Sequence, residues 1–112
     1  MDIRIRESGE IRLVDLSGRM DTGTSHEAET EINKLLEAGH GKIIINLSGT
    51  DYVSSSGLRV LLVSAKKIAA MKGKLKICQP NEVVKEILEI SGFSTILDVR
   101  ATEEEALSEL QF

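Results

Sequence analysis

Apolar positions along this chain recur at two different spacings, and each change of spacing marks a new element. Ile3 and Ile5 alternate with Arg4 and Arg6, Ser8-Gly9-Glu10 supplies a turn, and Ile11, Leu13, Val14 and Leu16 make a second run. Two such runs around a turn read as a β-hairpin. The second run changes phase after Leu13, as expected of a strand whose far end is covered on both faces. Next, Gly18 to Gly23 reads as a loop, and Thr24-x-x-Glu27 has the form of a capping box. Ala28, Ile32, Leu35 and Leu36 continue it as a helical stripe, ended by Gly39 or Gly41.

Residues 42–47 (Lys-Ile-Ile-Ile-Asn-Leu) form a β-branched run of the kind found in a buried strand. After them, Leu58, Leu61, Leu62, Ala65, Ile68 and Ala69 return to helical spacing, with a stop expected at Gly73. Residues 75–78 are short and alternating. Asn81 suits the N-cap of a helix whose face holds Val83, Val84, Ile87 and Leu88, and Gly92 suits its left-handed end. Residues 96–99 read as a last short strand. Thr102-x-x-Glu105 opens a final helix with Ala106, Leu107 and Leu110 inside.

The order β-β-α-β-α-β-α-β-α predicts an α/β fold: a mixed, mostly parallel sheet of four to five strands, an N-terminal antiparallel hairpin and about four helices. In such a sheet the loops leaving the carboxyl ends of the strands gather on one side. The loops at 18–23 and 48–56 are therefore expected to meet, so Asp21 and Ser55 share a surface although 34 positions separate them.

At 112 residues the chain suits one domain, 1–112, and is too short for two. A net charge of −4 and 3% aromatics without Trp argue against nucleic acid, which needs basic surface and stacking platforms. The lone Cys78 excludes an internal disulfide and reads as a small core residue. With no spanning apolar run and an alternating N-terminus, no membrane partner is expected and the location reads as cytoplasmic. Phosphate-cradling glycine loops, dinucleotide fingerprints and Cys/His metal patterns do not occur, so no cofactor and no metal are expected.

The chemistry lies in Thr50-Asp51-Tyr52-Val53-Ser54-Ser55-Ser56-Gly57-Leu58, where a strand hands over to a helix. Backbone N–H groups lack internal partners there, and the helix dipole favours negative charge. A Ser at that point either caps the helix or holds a phosphate. A hydrolase would need a base for the hydroxyl, but His26 and His40 have no acid at a recognisable spacing and no Gly-x-Ser-x-Gly elbow occurs. Lys66, Lys67, Lys72, Lys74 and Lys76 read as a solvated face near a helix end.

With these pieces in order, the chain resembles the anti-sigma factor antagonist family, the bacterial STAS domain. Gly18-Arg19-Met20-Asp21 is similar to the family's Gly-x-Leu-Asp loop, and Ile45-Asn46-Leu47 to its apolar-Asp/Asn-Leu strand end. Val53-Ser54-Ser55-Ser56-Gly57-Leu58 resembles its signature, apolar-Asp-Ser-Ser/Ala-Gly-Leu. Ser91-Gly92-Phe93 and the Glu-rich entry to the last helix resemble its closing segments. The resemblance implies a single STAS-like domain that is not an enzyme. It would bind an anti-sigma factor, commonly a serine kinase, while unphosphorylated and so release a sigma factor.

By the same resemblance Ser55 is the phosphoacceptor, a phosphatase reactivates the protein, and Asp21, Thr22, Ser54, Ser56, Gly57 and Arg59 are partner-binding residues. One position departs from the pattern: Ser54 stands where the family has Asp, which removes a carboxylate and sets three hydroxyls side by side. A scaffold-type STAS protein without a phosphate switch is the alternative within the interaction class, and a small serine-dependent hydrolase the alternative outside it. Homo-oligomerisation through the edge of the first strand is open, with Arg4 and Arg6 discouraging it.

Overall fold

A computed structural model describes residues Met1 to Gln111. Its elements are β1 (Asp2–Ser8), β2 (Ile11–Met20), α1 (Ser25–Glu37), β3 (Lys42–Val53), α2 (Ser55–Ala70), β4 (Lys74–Cys78), α3 (Glu82–Ile90), a 3-10 turn (Phe93–Thr95), β5 (Val99–Arg100) and α4 (Glu103–Leu110). The strands form one sheet in the order β1-β2-β3-β4-β5. The hairpin β1–β2 is antiparallel, with Ile5 opposite Val14, and every later pairing is parallel.

Burial on both faces of the sheet follows from the phase change in β2. Val14 and Leu16 join Ile43, Ile45, Leu47 and Ile77 in a large core with Ala28, Ile32, Leu61, Ile68, Val84 and Leu88 of α1, α2 and α3. Ile11 and Leu13 point the other way, joining Ile44 and Cys78 beneath Ala106 and Leu110 of α4. Consecutive Ile43, Ile44 and Ile45 are all fully buried because both faces of β3 are covered. Burial also pushes the Cys78 thiol up to about 12.

Several local expectations are corrected. β2 and β3 run on to Met20 and Val53, so the expected loops at 18–23 and 48–56 are partly strand. Thr24 makes no side-chain cap to its helix; its hydroxyl oxygen accepts from Asp21 N at 3.0 Å instead, and the capping box is not formed. Asn81 and Thr102 do cap, accepting from Val84 N at 2.8 Å and Glu105 N at 3.2 Å. The last strand is only Val99–Arg100, since the chain coils through Phe93–Thr95 first. Val83 is 53% exposed, so the face of α3 that packs is narrower than its sequence suggests.

Gly73 is not what turns the chain after α2, because Lys72 takes the left-handed conformation at φ 62. Gly73 is needed for close approach instead: a Cβ there would collide with the carbonyl oxygen of Gly41. Lys76 leaves the supposed basic cluster altogether. It is 7% exposed and paired to Asp98 at 2.9 Å, on the face covered by α4.

Candidate functional site

Two irregularities in β3 bring the serine loop to its place. Against β2, β3 gains one residue between Asn46 and Gly49 and another between Thr50 and Tyr52. Such bulges bend a strand and strengthen its twist. Side chains satisfy the disturbed ladder: Asn46 Oδ1 accepts from Ser48 N at 2.8 Å, and the buried Thr50 hydroxyl donates to Leu16 O at 2.8 Å. Asn81, besides capping α3, donates to Thr50 O at 3.0 Å. The end of β3 is thus tied to β2 on one side and α3 on the other.

The two expected loops do meet. Ser54 N donates to Met20 O at 2.8 Å, and the Thr22 and Ser56 hydroxyls lie 3.3 Å apart. Gly57 makes this junction possible. A Cβ on it would lie 2.8 Å from Val53 Cγ1, 2.9 Å from Met20 Cγ and 2.9 Å from Met20 O. Only hydrogen fits where α2 begins against the end of β2.

The three serines have different surroundings. Ser54 is the N-cap of α2, its hydroxyl accepting from Gly57 N at 3.2 Å. Ser56 faces Thr22. Ser55 is exposed, and its hydroxyl has no hydrogen-bond partner among the described residues. It sits on the first turn of a 16-residue helix, where backbone N–H groups and the dipole favour negative charge.

Asp21 is a constrained carboxylate. Its Oδ1 accepts from Gly23 N at 3.0 Å and from Thr24 N and Oγ1 at 3.1 Å each. The Thr24 backbone bond, then the Thr24 hydroxyl, holds its carboxyl below the usual range, so it is ionised at neutral pH. Asp51 and Arg59 are exposed nearby in sequence, and the Arg19 guanidinium lies 4.6 Å from the Tyr52 ring centroid. The expected residues Asp21, Thr22, Ser54, Ser55, Ser56 and Gly57 come together; Arg59 follows one turn along α2.

The packing of Met20 against Gly57 and the stacking of Arg19 on Tyr52 are not visible in the sequence motifs that contain these residues. Their role comes from the β2–β3 register, which periodicity alone does not reveal. Neither histidine joins Ser55. His26 lies on α1 with its side chain 82% exposed and Nδ1 3.9 Å from Glu29, and His40 precedes β3 at the opposite end of that strand. Among the described residues no group of three or more His, Cys, Asp or Glu is set to hold a metal, and no helix is long and apolar enough to cross a membrane.

A mixed five-stranded sheet with three helices on one face and one on the other, and a hydroxyl-bearing helix start at its rim, defines an α/β domain with a candidate binding surface at the carboxyl ends of its strands. The STAS domain family model matches residues 2–106, and this chain belongs to that family. BtrV of Bordetella bronchiseptica is 34% identical over 91 residues, covering 81% of this chain and 78% of that protein. The anti-sigma F factor antagonist of Paenibacillus polymyxa is 28% identical over 112 residues, covering 99% and 96%. Among solved structures, the anti-sigma factor antagonist SpoIIAA in its unphosphorylated form superposes with a TM-score of 0.83 at 22% identity, covering 98% of this chain and 96% of that one. The phosphorylated form of the same Bacillus protein gives 0.75 at 21%, covering 98% and 100%.

Proposed function

We propose that this protein is an anti-sigma factor antagonist: unphosphorylated, it binds an anti-sigma factor of serine-kinase type and so releases a sigma factor, and phosphate on Ser55 ends the binding. The observation behind this reading is the division of labour among the serines. Ser54 and Ser56 are engaged within the fold, whereas Ser55 is exposed with no hydrogen-bond partner among the described residues, on the rim where the Asp21–Thr22 loop meets the start of α2. The printed names of the relatives, and the two forms of SpoIIAA, support the same role.

The switch is electrostatic. Phosphoserine brings about −1.5 to −2 charges at neutral pH. Its own helix N-terminus tolerates them, but a partner surface fitted to a neutral hydroxyl does not, and Asp21 and Asp51 add to the repulsion. Asp21, Thr22, Ser54, Ser56 and Arg59 make the binding surface around Ser55, while Gly57, expected there too, is buried against Met20 and Val53 and shapes that surface from beneath. The role is binding and not catalysis, with a phosphatase restoring the active form, in the cytoplasm.

The test is incubation with serine-kinase anti-sigma factors and ATP, with the phosphate mapped by mass spectrometry and the complex followed by size-exclusion chromatography. The expected result is phosphate on Ser55 and loss of the complex together. A complex that forms but is never phosphorylated would transfer the assignment to a scaffold role. Phosphate on Ser54 or Ser56 alone would refute the choice of Ser55.

A further inference from the structure

The free edge of β1 has an unusual distribution of charge. β1 ends the sheet, so half of its backbone N–H and C=O groups face outward over seven residues. Arginines on an edge normally discourage pairing, but Arg6 is already engaged by its own chain. Its Nε and Nη2 each donate to Asp15 at 2.7 Å, and Nη1 and Nη2 reach Glu103 of α4. Asp2 and Arg4 are exposed and make no ion pair among the described residues. On the opposite face of the same strand Ile5 is 39% exposed and Ile3 is half-buried.

We infer that this edge is the binding surface for a second copy of the chain, paired β1 to β1 in antiparallel fashion about Ile3. A two-fold axis perpendicular to the sheet keeps each face continuous, so residues on one face meet residues on the same face. Every register centred on a residue satisfies this, and the three centred on Ile3, Arg4 and Ile5 pair the middle of the strand. The one centred on Arg4 sets the two Arg4 side chains opposite each other and offers Asp2 only Arg6, which Asp15 and Glu103 already hold, and the one centred on Ile5 sets Arg4 opposite Arg6. The register centred on Ile3 sets Asp2 opposite the second copy's Arg4 twice over, and Ile3 opposite Ile3. Opposite charges facing across a strand pair stabilise it and like charges do the reverse, so the sequence of β1 selects this register.

Because the paired strands run antiparallel, the two Ser55 surfaces open toward opposite ends of the joined sheet. Pairing therefore yields a bivalent particle with both sites free. A contact confined to part of one edge strand lies at the small end of specific interfaces, so a weak dimer of roughly 10 µM to 1 mM is expected.

Sedimentation of the full chain over roughly that concentration range tests this. The wild type should pass from monomer to dimer, Arg4→Glu should stay monomeric because it faces Asp2, and the double reversal Asp2→Arg/Arg4→Asp should dimerise again. Register is read by oxidation: Ile3→Cys places two thiols across the axis, about 4.5–5.5 Å apart at Cα and within disulfide reach. Ile5→Cys places them four residues out of step, roughly 13 Å along the strand. Cross-linking through residue 3 and not residue 5 is the expected result. A monomer at every concentration, a dimer indifferent to Arg4→Glu, or cross-linking through residue 5 would each overturn the inference. Circular dichroism of each variant reports that it is folded.

Discussion

Replacing Gly57 by Ala sets two effects of opposite sign against each other. In a helix interior Ala is favoured over Gly by about 0.8–1.0 kcal/mol, and less in the first turn, where Gly57 lies. Helix propensity alone therefore predicts a more stable protein. Against it stand three contacts that a Cβ would make at 2.8, 2.9 and 2.9 Å, with Val53 Cγ1, Met20 Cγ and Met20 O. Met20 Cγ belongs to a flexible side chain and can move. Met20 O is backbone, and it is the acceptor that holds Ser54 N at 2.8 Å. Relieving the clash means pushing the start of α2 off β2, which lengthens that bond and moves Ser55 with it. Overpacking of this kind costs roughly 1–3 kcal/mol, so the net effect is a loss of about 1–2 kcal/mol. In urea, with a slope of about 1–2 kcal/mol/M for a domain of this size, the midpoint should fall by roughly 1 M. Ser56→Ala is the control, because it changes the next position without adding volume and should stay within about 0.5 kcal/mol of wild type. A Gly57→Ala midpoint equal to or above wild type would show that propensity wins and that the contact between α2 and β2 is slack.

Other consequences are open to direct measurement. Ser54→Ala removes the α2 cap and should cost about 1 kcal/mol in a denaturant midpoint while leaving the Ser55 hydroxyl present. Glu103 is held below the usual carboxylate range, first by its hydrogen bond from Arg6 and also by Asn46. Its stabilisation is thus complete above the unfolded-state pKa near about 4.3 and is lost as pH falls from there through the folded value. Glu103→Gln should lower stability at pH 7 and flatten its decline below about pH 5; an unchanged profile would remove Glu103 from the network. Asp98, lowered chiefly by Lys76, leaves a residual slope in the same window. Cys78, buried under α4, should resist iodoacetamide in the native protein and label on unfolding, as followed by mass spectrometry.

The architecture was readable because the helices and the first four strands carry apolar patterns long enough to identify, the two-residue β5 excepted, and the phase change at Leu13–Val14 even foretold two covered faces. The site was readable only in part. Adjacent hydroxyls before a helical stripe point to a helix start, but which hydroxyl is engaged depends on partners far along the chain, such as Thr22 for Ser56. Thr24 misled because its backbone is already helical and its hydroxyl oxygen accepts from Asp21 N rather than from its own helix. Likewise Arg6 and Lys76 read as solvent charges, since nothing in strand alternation tells that Glu103 and Asp98 will stand beside them. What escaped the sequence was the side-chain pairing that the bulges in β3 and the docking of α4 create.

Ser54 keeps the helix cap that this position needs while differing in charge from the carboxylate the family pattern places there. The position needs an acceptor within reach of Gly57 N, and a hydroxyl or a carboxylate meets that need about equally well. The two differ in charge. A carboxylate there would stand about 6 Å from a phosphate on Ser55, a repulsion of roughly 0.7 kcal/mol per unit charge in water and about 3 at an effective dielectric of 20. On the proposed reading, its absence makes the phosphorylated state easier for this domain to hold, while removing a negative charge that a kinase could recognise. Thermodynamics and recognition are thereby moved in opposite directions. Phosphorus NMR titration of the phosphoprotein separates them: Ser54→Asp should raise the second ionisation of the Ser55 phosphate, because a neighbouring carboxylate disfavours the dianion. An unmoved titration would mean that solvent screens the pair, and that Ser54 matters to the switch only through the partner.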